Sequence, residues 1–521
     1  MENRTTTPKP VTRRGFLKML GGVGLAGVAA TITGCSTDQA GGKGWLPQQY
    51  QVASSWPVQV KGRIPIDPNN PSITRDDQKC ILCGQCIEAC ERIQTVYGYY
   101  ETPIKDDITC VNCGQCTLWC PTAAITEVDD IDKVVKALED ENVHVVVQTA
   151  PATRVALGEE FGMPAGSIVE GKQVAALKKL GFDGVFDTNF SADLTIMEEG
   201  TELVKRVTGE LDHPLPQFTS CSPGWVKFCE YFYPDLLGHM SSAKSPQQML
   251  GAVVKTYYAE QKGLDPEKIV SVSIMPCTAK KYECQRPEMN DAGHKIGKPQ
   301  IRDVDIVLTT RELARLIKSK GIDLTKLEDA QYDSILGEGT GAAVIFGTTG
   351  GVMEAAVRSA YFLITKQNPP DALLNLTPVR GLNGVKEASL EIPGVGQVNV
   401  AICSGLSNAR KILDQLRVDL KQGNPPRYHF IEFMSCPGGC IGGGGQPRTS
   451  LPPSDQVRQA RLNSLYTMDA KMYKKRLSHE NSEVLQLYKN YLEQPMSHLA
   501  EELLHTEYTD RGDTLTVKKQ V

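Results

Sequence analysis

The sequence lacks several features that would point to other classes of protein. Its apolar, glycine-rich stretch from Met19 to Thr33 is too short and too weakly hydrophobic for a transmembrane helix. The sequence also has no excess of basic residues. The formal charge is −5, and because residues 1–34 carry more basic than acidic side chains, the rest of the chain is more acidic still. This balance argues against a nucleic-acid partner and favours a basic protein partner. No cysteine lies between Cys35 and Cys80, which excludes a thiolate-bound cluster in that segment.

The amino-terminal residues resemble an export signal. A pair of arginines in the segment Thr12–Lys18 precedes the apolar stretch, as in signals of the twin-arginine pathway, which carries folded proteins. Ile32–Cys35 also resembles a lipobox, in which Cys35 would be lipidated after cleavage. We therefore expect a signal peptide over residues 1–35 and a linker or extended arm over residues 36–70. The expected location is the periplasm, with the protein either free or tethered to a membrane by an amino-terminal lipid.

Eight of the 16 cysteines form two identical patterns, in which two residues separate the first three cysteines and three residues precede the fourth. This is the spacing of bacterial ferredoxins, whose fourth cysteine ligates the other cluster of the pair. The expected ligands are Cys80, Cys83, Cys86 and Cys120 for one [4Fe–4S] cluster and Cys90, Cys110, Cys113 and Cys116 for the other. Disulfides or a zinc site would leave the doubled pattern unexplained. We expect an α+β ferredoxin-like domain over residues 71–128.

From about Val143 onwards, short apolar runs of strand length alternate with amphipathic helical stretches such as Arg311–Lys320 and Ala409–Val418. The predicted strands are Val143–Val147, Val270–Ile274, Val304–Leu308, Ala343–Ile345, Val398–Ile402 and His429–Phe433. This alternation predicts an α/β domain over residues 140–450 with mainly parallel sheets. Its functional site is expected in the loops at the carboxyl ends of the strands.

Three cysteine-containing segments fall in such loops: Thr219–Trp225, Met275–Glu283 and Met434–Pro447. Thiols on glycine-rich loops, which admit close backbone approach, suit an iron–sulfur cluster. Together with the glycine turn in Phe346–Glu354, these segments resemble the signature loops of the [FeFe] hydrogenases. The resemblance implies an oxidoreductase that acts on H2 through an H-cluster. That cofactor is a [4Fe–4S] cube joined by a cysteine sulfur to a two-iron subcluster with CO, cyanide and a bridging dithiolate.

The resemblance also implies roles for individual residues. Cys277, Cys436 and Cys440 would ligate the cube, and the sulfur of Cys440 would bridge to the two-iron subcluster. Lys280 would donate a hydrogen bond to a cyanide ligand, which is physically sensible because a cation stabilises an anionic ligand in a dry cavity. The remaining matches to the surroundings of the cofactor are Met275, Met434 and Glu283.

A proton path is implied as well, because a hydrogenase must move protons to and from a buried metal. Glu199 and Glu202 are three residues apart and hence lie on one face of a predicted helix. With Cys221 as the relay thiol, the expected order of transfer is Cys221, Glu202, Ser241 and Glu199. Arg206 also matches the family at this path.

One position departs from the family pattern. Where these hydrogenases have two adjacent cysteines, this sequence has Cys221 in the place of the relay thiol and Ser222 in the place of the fourth cube ligand. A serine oxygen is a harder ligand than a thiolate and suits a cuboidal iron poorly. Ser222 could ligate through oxygen, Cys221 could turn inward as the ligand, or the fourth ligand could come from outside the protein. The sequence leaves all three open.

After Pro447, helical stretches such as Arg461–Met472 and His479–Tyr491 give residues 451–521 the character of a helical tail. The tail resembles the small subunit of some periplasmic relatives. The expected partners are H2 and protons, hydrogenase maturation proteins, and a redox carrier such as a c-type cytochrome or a ferredoxin-like protein. H2 uptake is the expected direction, since the periplasm has no NAD(P)H pool. An H2 sensor and an iron–sulfur scaffold protein are the alternatives, and Ser222 favours both.

Overall fold

The computed structural model describes residues 62–99 and 108–515. The expected signal peptide, the lipobox and most of the expected linker lie outside the described residues. The end of that linker contacts the ferredoxin motifs, since Ile64 is buried and its amide donates to Cys86 Sγ at 3.4 Å. No helix within the described ranges is long and apolar enough to cross a membrane.

Ten strands are present in the described residues. They are β1 (Ile73–Arg75), β2 (Ile125–Glu127), β3 (His144–Thr149), β4 (Gly184–Asp187), β5 (Gln217–Phe218), β6 (Ile269–Met275), β7 (Ile306–Thr309), β8 (Val385–Ile392), β9 (Gly396–Ser404) and β10 (Phe430–Met434). The two short strands β1 and β2 pair antiparallel beside the ferredoxin motifs. The other eight form two four-stranded sheets.

The helices of the described residues are mostly short. They are α1 (Gln85–Glu88), α2 (Gln115–Trp119), α3 (Ile131–Glu139), α4 (Glu170–Leu180), α5 (Thr188–Thr208), α6 (Pro223–Phe232), α7 (Pro246–Val253), α8 (Ala259–Lys262), α9 (Ala279–Glu283), α10 (Asp291–Lys295), α11 (Thr310–Ser319), α12 (Gly341–Ile345), α13 (Gly351–Thr365), α14 (Asp371–Leu374), α15 (Leu406–Lys421), α16 (Asp455–Thr467), α17 (Ser482–Leu487) and α18 (His498–Leu504). Helix α11 begins with a capping box between Thr309 and Glu312, as expected for a well-defined helix start. Helices α16 to α18 form the helical tail.

The first sheet has the order β4–β3–β6–β7 and is entirely parallel, and the second has the order β5–β10–β9–β8 with only β8 antiparallel. Strands β3, β6 and β10 are almost continuously buried, which explains why apolar residues predominate in them. The prediction of an α/β fold with mainly parallel sheets and a helical tail is therefore confirmed. The predicted strand Ala343–Ile345 is wrong, because these residues belong to α12, whose first turn is capped by the side chain of Thr340.

Buried ion pairs fix the tail to the α/β domain. Arg358 on α13 contacts Glu354 at 2.8 Å and Asp469, which follows α16, at 2.9 Å, and all three side chains are buried. Arg476 contacts Asp469 from the tail itself at 2.6 Å. Such a network makes the tail part of the folded core.

Replacing Arg358 with methionine should lower the free energy of unfolding by about 3 kcal/mol, because the buried carboxylates of Glu354 and Asp469 each lose one of their two arginine partners and keep only Arg380 and Arg476. The expected observation is a large drop in the thermal denaturation midpoint. The control is Arg427→Met, which removes the exposed pair with Glu387 and should change the midpoint little. Equal midpoints for the two variants would contradict the prediction.

Candidate active site

A mainly apolar cavity of about 80 Å³ lies where the two sheets present the carboxyl ends of their strands. Loops after β3, β5, β6 and β10 all contribute to its wall. This is the position that a parallel sheet favours for a site, because strand ends of the same polarity meet at one edge. The predicted cofactor residues in its lining are Cys221, Ser222, Met275, Cys277, Lys280, Met434, Cys436 and Cys440.

Glycines bring the Cys436–Cys440 loop close to its neighbours. Gly439 has a φ of +89°, and a Cβ there would lie 2.6 Å from the backbone nitrogen of Thr349. A larger residue would therefore be strained twice, by its backbone conformation and by the contact. The loop can take its position beside the cavity only with glycine at this point.

The cysteines of the cavity are dry. Burial raises the pKa of Cys436 well above the ordinary thiol value, with Cys277, Cys113 and Cys440 as its charged neighbours, and raises that of Cys440 to about 12. Burial also raises the pKa of Cys277, while the nearby Lys280 ammonium opposes the shift. Metal insertion at such thiols releases protons, because the ligand is the thiolate. Soft thiols in an apolar cavity with one adjacent cation fit an iron–sulfur cofactor.

Cys221 and Ser222 face different neighbours. Burial raises the pKa of Cys221 well above the ordinary thiol value, and the carboxylate of Glu199 is the next largest cause. Ser222 directly precedes α6 without a capping hydrogen bond from its side chain, and its Oγ accepts a hydrogen bond from the amide of Ser435 at 3.2 Å, directly beside Cys436. The structure thus places Ser222 next to a cube cysteine and Cys221 next to a glutamate.

Lys280 is held at the cavity by groups on its protein side. Its Nζ donates to the carbonyl of Cys221 at 3.1 Å and to the two oxygens of Glu283 at 3.0 and 2.9 Å. Glu283 in turn accepts from Ser245 at 2.9 Å and from Gln247 at 3.0 Å. Glu283 therefore positions the ammonium of Lys280 and does not itself line the cavity.

The two glutamates on α5 are buried and differ in their partners. Glu202 is paired with Arg206 and accepts from Ser241 Oγ at 2.6 Å. Neither carboxylate oxygen of Glu199 has a hydrogen-bond partner within the described chain. Burial, followed by the neighbouring Glu202 charge, raises the pKa of Glu199 to about 8. The charge of Glu199 acts on Cys221, whereas Glu202 is paired with Arg206. The order of proton transfer along these residues stays a prediction.

The ferredoxin cysteines lie close enough to act on one another, and their assignment to two separate clusters stays a prediction. Besides burial, the Cys120 and Cys80 thiols raise the pKa of Cys83, whereas Cys90 and Cys110 act on Cys113. Cys86 has Cys83 and Cys120 as neighbours, and Cys116 has Cys113, Cys110 and Cys90 and also Cys86 of the other expected group. In the part of the chain that the structure describes, no three or more His, Cys, Asp or Glu side chains form a site for a single metal ion.

Cys113 belongs to the second cysteine group and also lines the cavity. The segment around it is bonded to the Cys440 loop, since Gln115 donates to the carbonyl of Gly442 and Thr117 to that of Gly444, both at 2.9 Å. A Cβ at Gly444 would lie 2.4 Å from the carbonyl oxygen of Cys113. The second ferredoxin group and the cavity therefore share one wall.

Comparison with protein families gives two matches. Residues 143–444 match the iron only hydrogenase large subunit, C-terminal domain, and residues 455–511 match the iron hydrogenase small subunit. The chain belongs to the iron-only hydrogenases. This hydrogenase is therefore an oxidoreductase that acts on H2, and the fold described above is that of its family.

Individual relatives agree. Iron hydrogenase 1 of Clostridium pasteurianum is 44% identical over 476 residues, which are 88% of this hydrogenase and 80% of the relative. The periplasmic [Fe] hydrogenase large subunit of Nitratidesulfovibrio vulgaris is 49% identical over 375 residues, which are 71% and 85% of the two chains. A solved structure of an [FeFe]-hydrogenase from Chlamydomonas reinhardtii matches with a TM-score of 0.63 and 42% identity, over 74% of this chain and 99% of that chain.

A more distant relative has a different name. Cytosolic iron-sulfur assembly component 3 of Pongo abelii is 32% identical over 435 residues, which are 82% of each chain. The hydrogenase relatives named above share a larger fraction of identical residues.

Two residues at the site were not predicted from the sequence. The hydroxyl of Tyr508 donates to the carbonyl of Ser241 at 2.5 Å, which brings the tail to the proton path. Glu432 on β10 accepts from the amides of Gly350 and Met353 at 2.6 and 2.8 Å and so fixes the start of α13. A charged residue inside an apolar strand was the available signal for Glu432, whereas no local pattern identifies Tyr508.

Proposed function

We propose that this hydrogenase oxidises H2 reversibly at an H-cluster in the periplasm and passes the electrons through two [4Fe–4S] clusters to a carrier such as a c-type cytochrome. The observation that carries the proposal is the dry cavity that gathers three loop cysteines, Lys280 and Cys221, with Cys113 in its wall. When bound, the H-cluster supplies the redox-active irons and the basic amine at which H2 is split. The protein supplies ligands, a route for protons and a route for electrons.

The cube of the H-cluster is assigned to Cys277, Cys436 and Cys440, with Cys440 as the bridging ligand. Ser222 is assigned to the fourth corner, since its hydroxyl lies beside Cys436 while Cys221 lies beside Glu199. Lys280, oriented by Glu283, provides the positive charge that stabilises an anionic ligand of the subcluster.

Protons move along Cys221, Glu199, Ser241 and Glu202. The hydrogen bond from Ser241 to Glu202 supplies one step, and Arg206 holds Glu202 at the far end. The isolated carboxyl of Glu199 lies in the gap between Cys221 and Ser241, where a titrating group can accept a proton from either side.

Electrons leave the cavity through the cluster of Cys90, Cys110, Cys113 and Cys116 and then through the cluster of Cys80, Cys83, Cys86 and Cys120. The cluster of Cys80, Cys83, Cys86 and Cys120 is assigned the outer position, because Ile81 and Leu82, between two of its ligands, are exposed. This face is where a carrier would exchange electrons.

The cellular assignment extends the same proposal. Residues 1–35 are a twin-arginine signal with a lipid attachment site at Cys35, and residues 71–128, 140–450 and 451–521 are the ferredoxin-like, catalytic and small-subunit-like parts. Maturation proteins build the two-iron subcluster before export, and H2 uptake is the direction in the periplasm. The location is supported by the 49% identity to a periplasmic hydrogenase large subunit.

The test is infrared spectroscopy of full-length protein co-produced with the hydrogenase maturation enzymes. Bands of metal-bound CO and cyanide are expected, together with reduction of c-type cytochrome under H2. Protein without those bands would overturn the H-cluster assignment. A normal infrared spectrum without cytochrome reduction would overturn the carrier alone.

A scaffold or sensor role is the second candidate, favoured by Ser222 and by the likeness to an iron–sulfur assembly component. A scaffold needs a cube but has no use for Lys280 or for buried glutamates beside Cys221. Protein that binds the cube but lacks both CO bands and H2 turnover would favour this role.

Replacing Ser222 with cysteine should raise the reduction potential of the cube, because a thiolate donates less charge to iron than the harder, more basic serine oxygen. The measurement is a redox titration followed by electron paramagnetic resonance. Ser435→Ala is the matched control, since it removes a neighbouring hydroxyl without offering a ligand. An unchanged potential in Ser222→Cys would place Ser222 outside the ligand set.

The pH dependence of H2 evolution should follow Glu199. Its pKa of about 8 means that it carries a proton below pH 8 and loses it above, so evolution should fall as the pH rises through 8. The raised pKa of Glu199 should also make the free energy of unfolding fall as the pH rises from about 4.3 to 8. In this range the carboxyl is ionised in the unfolded chain but still protonated in the folded protein. Rates with a viologen donor, compared with Glu199→Gln, test this. An identical inflection in the variant would contradict the assignment.

A further inference from the structure

Lys227 on α6 is a buried cation without a carboxylate partner in the described residues. Its side chain is 9% exposed, and its Nζ donates to Asn112 Oδ1 at 2.6 Å and lies 3.9 Å from the centre of the Tyr282 ring. Among the described residues, the carboxylate that acts on Lys227 is Glu230, which is already paired with Arg286 and Arg511. An ammonium is costly to bury unless a negative charge lies close to it.

The residue that accepts the hydrogen bond lies inside the second ferredoxin motif. Asn112 stands between Cys110 and Cys113, and its amide donates to Cys110 Sγ at 3.3 Å. Its carbonyl accepts from Thr278 Oγ at 2.7 Å, and Thr278 directly follows Cys277. Lys227 therefore lies at the junction between the second cysteine group and the cavity.

The charges around Lys227 show what it faces. Burial lowers the pKa of Lys227 to about 8, and Cys110 is the largest influence in the opposite direction. A [4Fe–4S] cluster with four thiolate ligands is an anion in both of its common redox states, and it gains one more negative charge on reduction. A fixed cation beside it stabilises the reduced state more than the oxidised state.

We propose that Lys227 is the counter-charge of the cluster held by Cys90, Cys110, Cys113 and Cys116, and that it raises the reduction potential of that cluster. The proposal rests on the ligand assignment made above. Lys227 touches neither substrate nor the reacting irons, so it is a positioning residue. It acts on electron transfer only through its charge beside the cluster. It favours residence of an electron on the cluster that shares a wall with the cavity.

Three substitutions separate charge from hydrogen bonding and packing. Lys227→Met removes charge and donor, Lys227→Gln keeps a neutral donor, and Lys227→Arg keeps the charge. The readout is the midpoint potential of each cluster in full-length protein carrying its [4Fe–4S] clusters, from a titration followed by low-temperature electron paramagnetic resonance. H2 turnover is not needed for this readout, so failure of the H-cluster assignment would not affect it.

The cavity-side cluster is the one held by Cys90, Cys110, Cys113 and Cys116. Lys227→Met and Lys227→Gln should each lower the equilibrium constant for its reduction at least about tenfold, which lowers the midpoint potential of a one-electron couple by about 59 mV. The arginine variant should stay near the unsubstituted protein. The outer cluster of Cys80, Cys83, Cys86 and Cys120 is an internal control and should not shift. Lys178→Met, which removes a surface charge paired with Asp333, should shift neither.

Two results would overturn the proposal. If Lys227→Gln keeps the potential of the unsubstituted protein while Lys227→Met does not, the hydrogen bond to Asn112 rather than the charge sets the potential. If both variants lose the cavity-side cluster, as judged by iron content and spectrum, Lys227 has a structural role only.

Discussion

Replacing Cys221 with alanine is expected to lower H2 turnover in both directions by about 10²–10⁴-fold, the usual contribution of a positioned proton-transfer group. The thiol is the group of the proposed path that lies in the cavity wall, and it is the proposed link between the cavity and Glu199. The infrared bands of CO and cyanide should remain, because the proposed ligands are untouched. Rates should be measured in both directions with an artificial donor or acceptor.

Cys229→Ala is the matched control. Cys229 lies on α6, eight residues after Cys221, and is a buried thiol that does not line the cavity. Its substitution should leave turnover close to that of the unsubstituted protein. Full turnover in Cys221→Ala would refute the relay. Loss of the cube itself in that variant would show that Cys221, rather than Ser222, is the fourth ligand.

Replacing Cys440 with alanine should abolish H2 turnover and remove the CO and cyanide bands, because the two-iron subcluster loses its bridging sulfur. The eight ferredoxin cysteines are untouched, so the two [4Fe–4S] signals assigned to them should persist. Infrared spectroscopy and paramagnetic resonance on one sample check both halves of this expectation.

Cys403→Ala controls for the loss of a buried thiol. Cys403 lies on β9, is fully buried and does not line the cavity. It should retain the infrared bands and turnover. Bands of normal intensity in Cys440→Ala would mean that another residue bridges the two parts of the cofactor.

Much of the fold could be predicted from local patterns. Buried parallel strands are rich in apolar residues, and the runs at Val270–Ile274 and His429–Phe433 lie within or overlap β6 and β10. Ala343–Ile345 shows the limit of this signal, because three apolar residues fit a buried helix equally well. These residues are helical because the side chain of Thr340 caps the first turn of α12. The hydroxyl of Thr340 in turn donates a hydrogen bond to Asp193 Oδ1 at 2.7 Å.

The site could be predicted where its residues share a loop or a helix, but not where distant segments meet. The spacing of Glu199 and Glu202 places both on one face of α5, yet it cannot tell which end of that face meets Cys221. Tyr508 and Ser241 are 267 residues apart, and Lys227 and Asn112 are 115 apart. Their contacts depend on packing across the whole domain, which no local pattern records.

The shared wall at Cys113 has a consequence for protein engineering. Because Gln115 and Thr117 bond to the glycines after Cys440, the segment that carries the cavity-side cluster also completes the catalytic chamber. A foreign ferredoxin grafted in its place would have to reproduce this contact surface as well as the cysteine spacing. A new electron donor is therefore better directed to the exposed Ile81 and Leu82. These residues lie between two proposed ligands of the outer cluster and take no part in the contact with the glycines after Cys440.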